Sequence, residues 1–247
     1  MQIYCETHGS GQPVLVLLHG LSANGAVWHP LLELLKWRGK VLVPDLRGHG
    51  RSPHGRHYGY GQHAADVAEI LAREDDVRIL GHSMGGAVAL ALASGSFGVE
   101  VKAVLAFGTK TGFSADELQK MNAFVQAPVR WFDTQEDAVA RFLKVAGLEG
   151  LLGPDSPAAL AGVRAEGGRY RLAADPAAAT AAWGPPVSSL IAAARAPLVL
   201  ATGEKDRMVP ISDLRRIAPD AIELAGVGHN LHLEAPAALL PLLQRLL

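Results

Sequence analysis

One serine of this sequence lies between a run of residues typical of a buried strand and a run typical of a helix. The stretch VRILGHSMGGAVALAL, residues 77–92, begins with aliphatic and β-branched residues, passes through Gly81-His82-Ser83-Met84-Gly85, and continues rich in Ala and Leu. We predict a tight strand-to-helix turn with Ser83 at its centre, because glycines two positions away on either side let neighbouring backbone approach closely. The Ser83 hydroxyl would then project from the sheet edge as a nucleophile, beside the first N–H groups of the helix.

A serine hydroxyl is a poor nucleophile at neutral pH and needs a base that a third group orients. His229 lies in a glycine-flanked loop after the last predicted strand and is the candidate base. Asp206 lies just beyond the strand predicted at residues 197–201, a position that favours it over Glu204 and Asp213 as the orienting carboxylate. We expect His229 to take the serine proton and return it to the leaving group, while Asp206 fixes the imidazole tautomer.

Negative charge that develops on the substrate oxygen needs hydrogen-bond donors. The expected donors of this oxyanion hole are the backbone N–H of Met84, directly after the nucleophile, and that of Leu21, in the loop after the strand predicted at residues 13–18. We expect His19-Gly20 to shape that loop rather than to react. His82, beside the nucleophile, is expected to support the site rather than to act as a second base.

Apolar runs and helical patterns alternate along most of the chain. Strands are predicted at residues 13–18, 40–44, 77–82, 102–107, 197–201 and 221–224, and helices at 26–37, 62–73, 84–94 and 235–247. This alternation predicts a mostly parallel sheet with helices on both faces, in which ligands bind at the carboxyl ends of the strands. Every motif named above lies at such an end.

Between residues 107 and 196 the alternation stops. The segment is predicted to form several short helices broken by glycine and proline at 147–157, 167–168 and 185–186, and it is too long to be a loop. Some of its aromatic residues are expected to give the active site an apolar wall. Trp131 and Trp183 are our candidates for contact with the substrate.

Composition limits the classes of partner. The 247 residues fit one large α/β domain with an insert, and a net charge of -1 gives no electrostatic signature of nucleic-acid or membrane binding. The single cysteine, Cys5, excludes an intrachain disulfide and a cysteine-rich metal site, and no apolar run reaches membrane-spanning length. We expect a cytoplasmic protein with a small-molecule partner, and the oligomeric state stays open.

The segment with His54, His57 and His63 matches no metal-ligand pattern and is expected to be a solvated loop.

These motifs together resemble the α/β-hydrolase superfamily, in its lidded serine esterase and C–C hydrolase branch. The matching segments are His19-Gly20, Pro44 to Ser52 (PDLRGHGRS), Gly81 to Gly86 (GHSMGG), Gly203 to Asp206 and Gly228-His229, in the order Ser83, Asp206, His229. The resemblance implies an eight-stranded, mostly parallel sheet formed by residues 1–109 and 191–247, with a helical cap at 110–190 over Ser83. It also implies catalysis without a cofactor or metal.

The sequence therefore predicts a serine hydrolase that cleaves a carboxylic ester of a small to medium apolar substrate through an acyl-serine intermediate. The same three residues also fit a thioesterase or a C–C bond hydrolase. His82 stands where the C–C hydrolases often carry asparagine, which favours the ester. The alternative outside the enzymes is a ligand receptor built on a hydrolase scaffold. Its turnover would be far below 1 s⁻¹, whereas the median kcat of enzymes is about 10 s⁻¹.

Overall fold

Strands buried on both faces form the centre of the computed structural model, which describes residues 1–247. The strand Val14–Leu18 shows the pattern: Val16 and Leu18 pack into one apolar core and Leu15 and Leu17 into another. Side chains alternate across a strand, so a continuous apolar run supplies both faces of a sheet that is covered on both sides.

Nine strands are present along the chain. They are β1 (Cys5–His8), β2 (Val14–Leu18), β3 (Val41–Pro44), β4 (Val77–His82), β5 (Val101–Phe107), β6 (Val163–Glu166), β7 (Arg169–Leu172), β8 (Leu198–Gly203) and β9 (Ile222–Leu224). Seven of them form one sheet in the order β1-β3-β2-β4-β5-β8-β9, in which only β1 pairs in the antiparallel direction. The predicted mostly parallel sheet is confirmed.

The predicted number of eight strands is wrong, since the main sheet has seven. The N-terminal edge consists of the single strand β1, which pairs with β3 on its inner side and has no strand hydrogen-bonded to its outer side. Only the first two residues of this strand are even partly buried, which is the pattern of an edge rather than of an interior strand.

Helices cover both faces of the sheet, as predicted. They are α1 (His29–Leu34), α2 (Tyr60–Ile70), α3 (Met84–Leu92), α4 (Ala115–Gln126), α5 (Gln135–Val145), α6 (Pro157–Ala161), α7 (Val187–Ala193), α8 (Ile211–Arg215), α9 (Leu231–Glu234) and α10 (Leu240–Leu243). Helices α2, α3 and α7 share one core with the sheet, and α1, α9 and α10 share the other. The helix that follows the Ser83 turn, α3, is buried along its whole length.

The segment between β5 and β8 contains α4 to α7 together with a two-stranded antiparallel sheet of β6 and β7. This hairpin corrects the expectation of short helices alone. Its turn is Gly167-Gly168, with φ of 59° and 78°. Two successive positive φ angles suit a two-residue hairpin turn, and glycine adopts them without steric cost. The glycine pair therefore joins two strands rather than separating two helices.

Two predicted helices are shorter in the structure. At the C-terminus, Pro236 and Pro241 divide the predicted helix into 3₁₀ turns on either side of α10, because proline has no N–H to continue a helix. The helix predicted at residues 26–37 begins with a 3₁₀ turn and ends at Leu34. None of the helices combines the length and the apolar character that crossing a membrane would require.

Candidate active site

Ser83 occupies a sharp turn between β4 and α3. Its φ of 53° and ψ of -117° are rare for a residue with a side chain, and only one other non-glycine residue of the chain, Ser22, has a positive φ. Such a conformation costs about 1–3 kcal/mol and persists only where the surroundings enforce it. Here the Ser83 N–H donates to the carbonyl of Phe107 at 2.9 Å, and its carbonyl accepts from the Thr109 hydroxyl at 3.3 Å.

The glycines around Ser83 are required by close packing. A Cβ on Gly81 would lie 2.5 Å from the carbonyl oxygen of Gly85, and a Cβ on Gly85 would lie 2.6 Å from that of His19. A Cβ on Gly86 would collide with the hydroxyl of Thr109. Real Cβ atoms do not approach backbone this closely, so the turn needs glycine at these positions for lack of space.

Asp206 and His229 meet through a direct hydrogen bond. His229 Nδ1 lies 2.8 Å from Asp206 Oδ2, and the carboxylate side chain is fully buried. Asp206 Oδ1 accepts from the amides of Met208 at 2.8 Å and Val209 at 3.2 Å. Burial raises the pKa of the Asp206 carboxyl, but the bonds from His229 and the two amides outweigh it and hold that pKa below its usual value. An ionised carboxylate only accepts, so His229 carries its proton on Nδ1 and leaves Nε2 free as a base.

The rival carboxylates lie elsewhere. Glu204 accepts from the backbone N–H of Gly226 at 2.7 Å, and Asp213 pairs with Arg216 on the surface. Neither contacts the imidazole, so the structure brings together the residues that the sequence favoured.

Ser83 and His229 line one cavity of about 610 Å³. No hydrogen bond joins the serine hydroxyl to the imidazole in this structure, and the hydroxyl makes none with any other protein group. Catalytic hydrogen bonds are often long in proteins without substrate and tighten in the reacting complex. The arrangement therefore supplies an unengaged hydroxyl and an oriented imidazole facing the same space.

The predicted oxyanion donors also reach this cavity. Both Leu21 and Met84 line it, and neither backbone N–H donates to another group of the protein. Met84 is the first residue of α3, so its amide has no acceptor within the helix. The loop of Leu21 is held against the turn at Gly20, whose Cβ would lie 3.3 Å from that of Ser83.

His19 fixes the shape of this loop. It is fully buried, its Nδ1 donates to the carbonyl of Gly20 at 2.8 Å, and its Nε2 accepts from the amide of Leu46 at 2.9 Å. Burial lowers the pKa of His19 to about 4, so the ring is neutral at pH 7 and suits both bonds. His19 lies behind the loop and does not line the cavity.

The segment between β5 and β8 supplies much of the cavity wall. Its apolar contributions include Phe113, Met121, Val145, Leu148 and Ala179. Lys110, Glu117 and Lys120 also reach the cavity. Lys110 pairs with Glu117 and thereby lowers the pKa of that carboxyl to about 2. The wall is thus mostly apolar, with charged groups on the side of α4.

The two tryptophans expected at the substrate do not line this cavity. Trp131 lies beside the hairpin, under the guanidinium groups of Arg169 and Arg171 at 6.0 and 5.8 Å from its ring centre. Trp183 is half-exposed and lines a smaller neighbouring cavity of about 270 Å³. Phe113 and Met121 provide the apolar wall instead.

The three histidines of the loop after β3 do not gather into one site. His54 bonds the carbonyl of Ala173 at 2.9 Å, and His57 is exposed. His63 departs from the predicted solvated loop, because it lies on α2 and is fully buried against the rings of His49 and Tyr58. No group of three His, Cys, Asp or Glu side chains is arranged to hold a metal ion.

Several supporting residues were not identified from the sequence. Thr109 bonds the carbonyl of Ser83, and Asn230 reaches from the base loop to the carbonyl of Gly147 at 2.8 Å. His232, fully buried on α9, lines the cavity. Threonine and asparagine carry no chemical signal by type, and His232 is one of ten histidines in the chain, so only the folded arrangement places these residues at the site.

Comparison with known proteins gives a family match over most of the chain. Residues 15–242 match the model of the alpha/beta hydrolase family. A shorter segment is 43% identical over 95 residues to the pimeloyl-[acyl-carrier protein] methyl ester esterase of Aeromonas hydrophila, covering 38% of this chain and 36% of that protein. Lipase LipV of Mycobacterium tuberculosis is 35% identical over 97 residues, covering 38% of this chain and 37% of that lipase. The aligned segment thus spans little more than a third of either relative.

Similar solved structures extend over nearly the whole chain. The crystal structure of E-2-(acetamidomethylene)succinate hydrolase superposes with a TM-score of 0.80 and 25% identity, covering 98% of this chain and 93% of that one. The thioesterase domain from the curacin biosynthetic pathway gives a TM-score of 0.78 and 23% identity, covering 97% and 94%. The second likeness is one of fold alone.

Proposed function

The chain belongs to the alpha/beta hydrolase family, as its motifs predict, and we propose that it is a serine hydrolase that cleaves a carboxylic ester. The observation that carries the proposal is the hydrogen-bonded Asp206–His229 pair, whose imidazole lines the same cavity as the strained, unengaged Ser83. The esterase and lipase names of the two relatives support an ester as the substrate.

In the proposed reaction, His229 Nε2 takes the proton of the Ser83 hydroxyl as its oxygen attacks the ester carbonyl carbon. The carbonyl electrons move to the oxygen, and the N–H groups of Leu21 and Met84 hold the resulting oxyanion. When the carbonyl re-forms, the carbon–oxygen bond to the alcohol breaks and His229 gives its proton to the departing oxygen. A water molecule then repeats the sequence on the acyl-serine and releases the acid.

Asp206 has two tasks in this scheme. Its carboxylate oxygen accepts a hydrogen bond from Nδ1 of His229, which keeps the proton on Nδ1 and leaves Nε2 unprotonated. Its negative charge stabilises the imidazolium that forms after proton transfer. The low pKa of its carboxyl keeps that charge in place at neutral pH.

We propose a small to medium apolar substrate, with residues 110–190 acting as a cap. The support is a cavity of about 610 Å³ whose wall is mostly apolar and to which that segment contributes Phe113, Met121 and Leu148. Small-molecule sites commonly have volumes of about 300–1,000 Å³. A thioester fits the same machinery, and the fold shared with a thioesterase domain keeps it as an alternative. A C–C bond hydrolase is the other alternative.

The test is the initial rate of hydrolysis of p-nitrophenyl esters of increasing acyl length. We expect turnover with an optimum in length, and a loss of more than about 10³-fold in kcat for S83A. The exposed Ser96 provides the matched control, since S96A removes a hydroxyl outside the site. Activity of S83A within tenfold of the unmodified protein would contradict the proposal.

The test also separates the alternatives. No turnover of any ester by folded protein, with turnover of thioesters or of β-diketone-like compounds, would favour those substrate classes. Tight ligand binding with turnover far below 1 s⁻¹ would favour the receptor. A cytoplasmic location belongs to the same proposal, since one free cysteine requires no oxidising compartment.

A further inference from the structure

His82 connects the nucleophile to the base. It is the last residue of β4, directly before Ser83, and it is almost fully buried. Its Nε2 lies 3.0 Å from the backbone carbonyl oxygen of His229. The two residues are 147 positions apart in the sequence, so this bond joins two loops that the chain brings together only on folding.

The bond fixes the tautomer of His82. A carbonyl oxygen only accepts hydrogen bonds, so the proton is on Nε2 and the ring is the donor. Its Nδ1 is buried without any partner. Burial lowers the pKa of His82 well below its usual range, and the neighbouring His232 and His229 act in the same direction. The ring is therefore neutral, with Nε2 donating a hydrogen bond and Nδ1 without a hydrogen-bond partner.

Aromatic contacts hold this ring in place. It stacks on Phe107 at 4.9 Å between ring centres with 27° between the planes, and its centre lies 4.7 Å from that of His229 and 4.6 Å from that of His232. A Cβ on Gly20 would come within 3.0 Å of His82 Nδ1, so the opposite edge is also confined.

The base loop has few other anchors on this side. The amides of Gly228 and Asn230 both bond Glu234, which belongs to the same segment of chain. On its other side the loop is held by the Lys205 amide, which donates to the carbonyl of Val227 at 2.8 Å, and by the Asn230 side chain, which donates to that of Gly147 at 2.8 Å. Asp206 holds the imidazole of His229 at Nδ1, but the main-chain groups of His229 itself bond no protein group other than His82. The bond from His82 ties that backbone to the strand that carries Ser83.

We infer that His82 is a positioning residue, which holds the backbone of His229 so that its imidazole meets the Ser83 hydroxyl. A neutral donor suits this task, because a permanent cation next to His229 would oppose the imidazolium formed during proton transfer. The inference deepens the proposed function and rests on it.

Two variants of nearly equal size test the inference. In H82Q the side-chain amide retains an N–H that reaches for the His229 carbonyl, whereas H82M has no donor. We expect H82M to lose about 10²-fold in kcat on the best p-nitrophenyl ester, because the imidazole of His229 is no longer held in place beside Ser83. His82 also lines the cavity, but methionine is of similar size and apolar, so KM should stay within about twofold of the unmodified protein. We expect H82Q to stay within about fivefold in kcat.

An effect on folding alone would lower both variants equally and would overturn the inference, as would an H82M kcat within threefold of the unmodified protein. The tautomer gives a second measurement, which needs no variant. Long-range ¹H–¹⁵N NMR at pH 7 should show His82 neutral and protonated on Nε2, and protonation on Nδ1 would overturn the inference. If the unmodified protein hydrolyses no ester, the proposed function fails, and the tautomer still decides whether His82 donates to His229.

Discussion

Replacing Gly85 by alanine should slow turnover although no catalytic group is removed. Gly85 is the second residue of α3, and its φ is not positive, so alanine suits the backbone conformation there. The added Cβ would meet the carbonyl oxygens of Leu18 and His19, the latter at 2.6 Å. Both are main-chain atoms of the central sheet and its loop, which no rotamer change moves out of the way.

The helix start must therefore move. Ordinary contact between a Cβ and an oxygen begins near 3.4 Å, so relief needs a displacement of about 1 Å, and misplacement on that scale costs about 10²-fold in rate. The displaced residues include Ser83 and Met84, which carry the proposed nucleophile and one oxyanion donor. We expect kcat of G85A on its best p-nitrophenyl ester to fall by about 10²-fold, with a lower melting temperature but a folded protein by circular dichroism.

Gly61 supplies the control. It lies in the first turn of α2, and a Cβ there would meet nothing within 4 Å. G61A should keep kcat and gain up to about 1 kcal/mol in unfolding free energy from the helix propensity of alanine. A G85A protein that is folded and retains the kcat of the unmodified chain would refute the packing argument for the turn.

Three further outcomes are expected. D206N should lose about 10³- to 10⁴-fold in kcat with little change in KM, whereas D213N, at the rival carboxylate, should match the unmodified protein. Equal effects of the two substitutions would contradict the role of Asp206 as the carboxylate that orients His229. F113A should shift the optimum of kcat/KM towards longer acyl chains, because Phe113 forms part of the apolar cavity wall, and an unchanged optimum would place the acyl group elsewhere. The free energy of unfolding should fall as pH drops from about 6.5 towards 4, because burial lowers the pKa of His19 to about 4 and of His232 to about 3. In this range the unfolded chain binds protons that the folded chain does not, and each group contributes up to about 1.4 kcal/mol per pH unit. A free energy of unfolding in urea that does not change between pH 7 and 5 would contradict this.

The elements predictable from the sequence are those with strong local patterns. The apolar run of β2 indicated a strand buried on both faces, and the glycines around Ser83 indicated a turn without room for side chains. Asp206 was predictable because a residue just past a parallel strand lies at the edge where ligands bind.

Features decided by tertiary packing were not predictable in the same way. The hairpin of β6 and β7 is the exception, because Val163–Glu166 and Arg169–Leu172 alternate apolar and charged residues on either side of Gly167-Gly168. This local pattern indicates a hairpin, and the prediction of short helices alone overlooked it. Trp131 packs beside arginines of that hairpin rather than in the cavity, a choice that depends on contacts distant in sequence. His63 and His232 are polar by type and fully buried by position, and local sequence does not reveal the space that holds them.

The most direct test of the central claim is covalent labelling of the nucleophile. A fluorophosphonate should react with the unmodified protein to give one adduct in the intact mass, mapped by peptide analysis to Ser83, with loss of ester hydrolysis in proportion to labelling. S83A should remain unlabelled under the same conditions. Labelling at another residue, or full ester hydrolysis by a protein that the reagent leaves unmodified, would contradict the account.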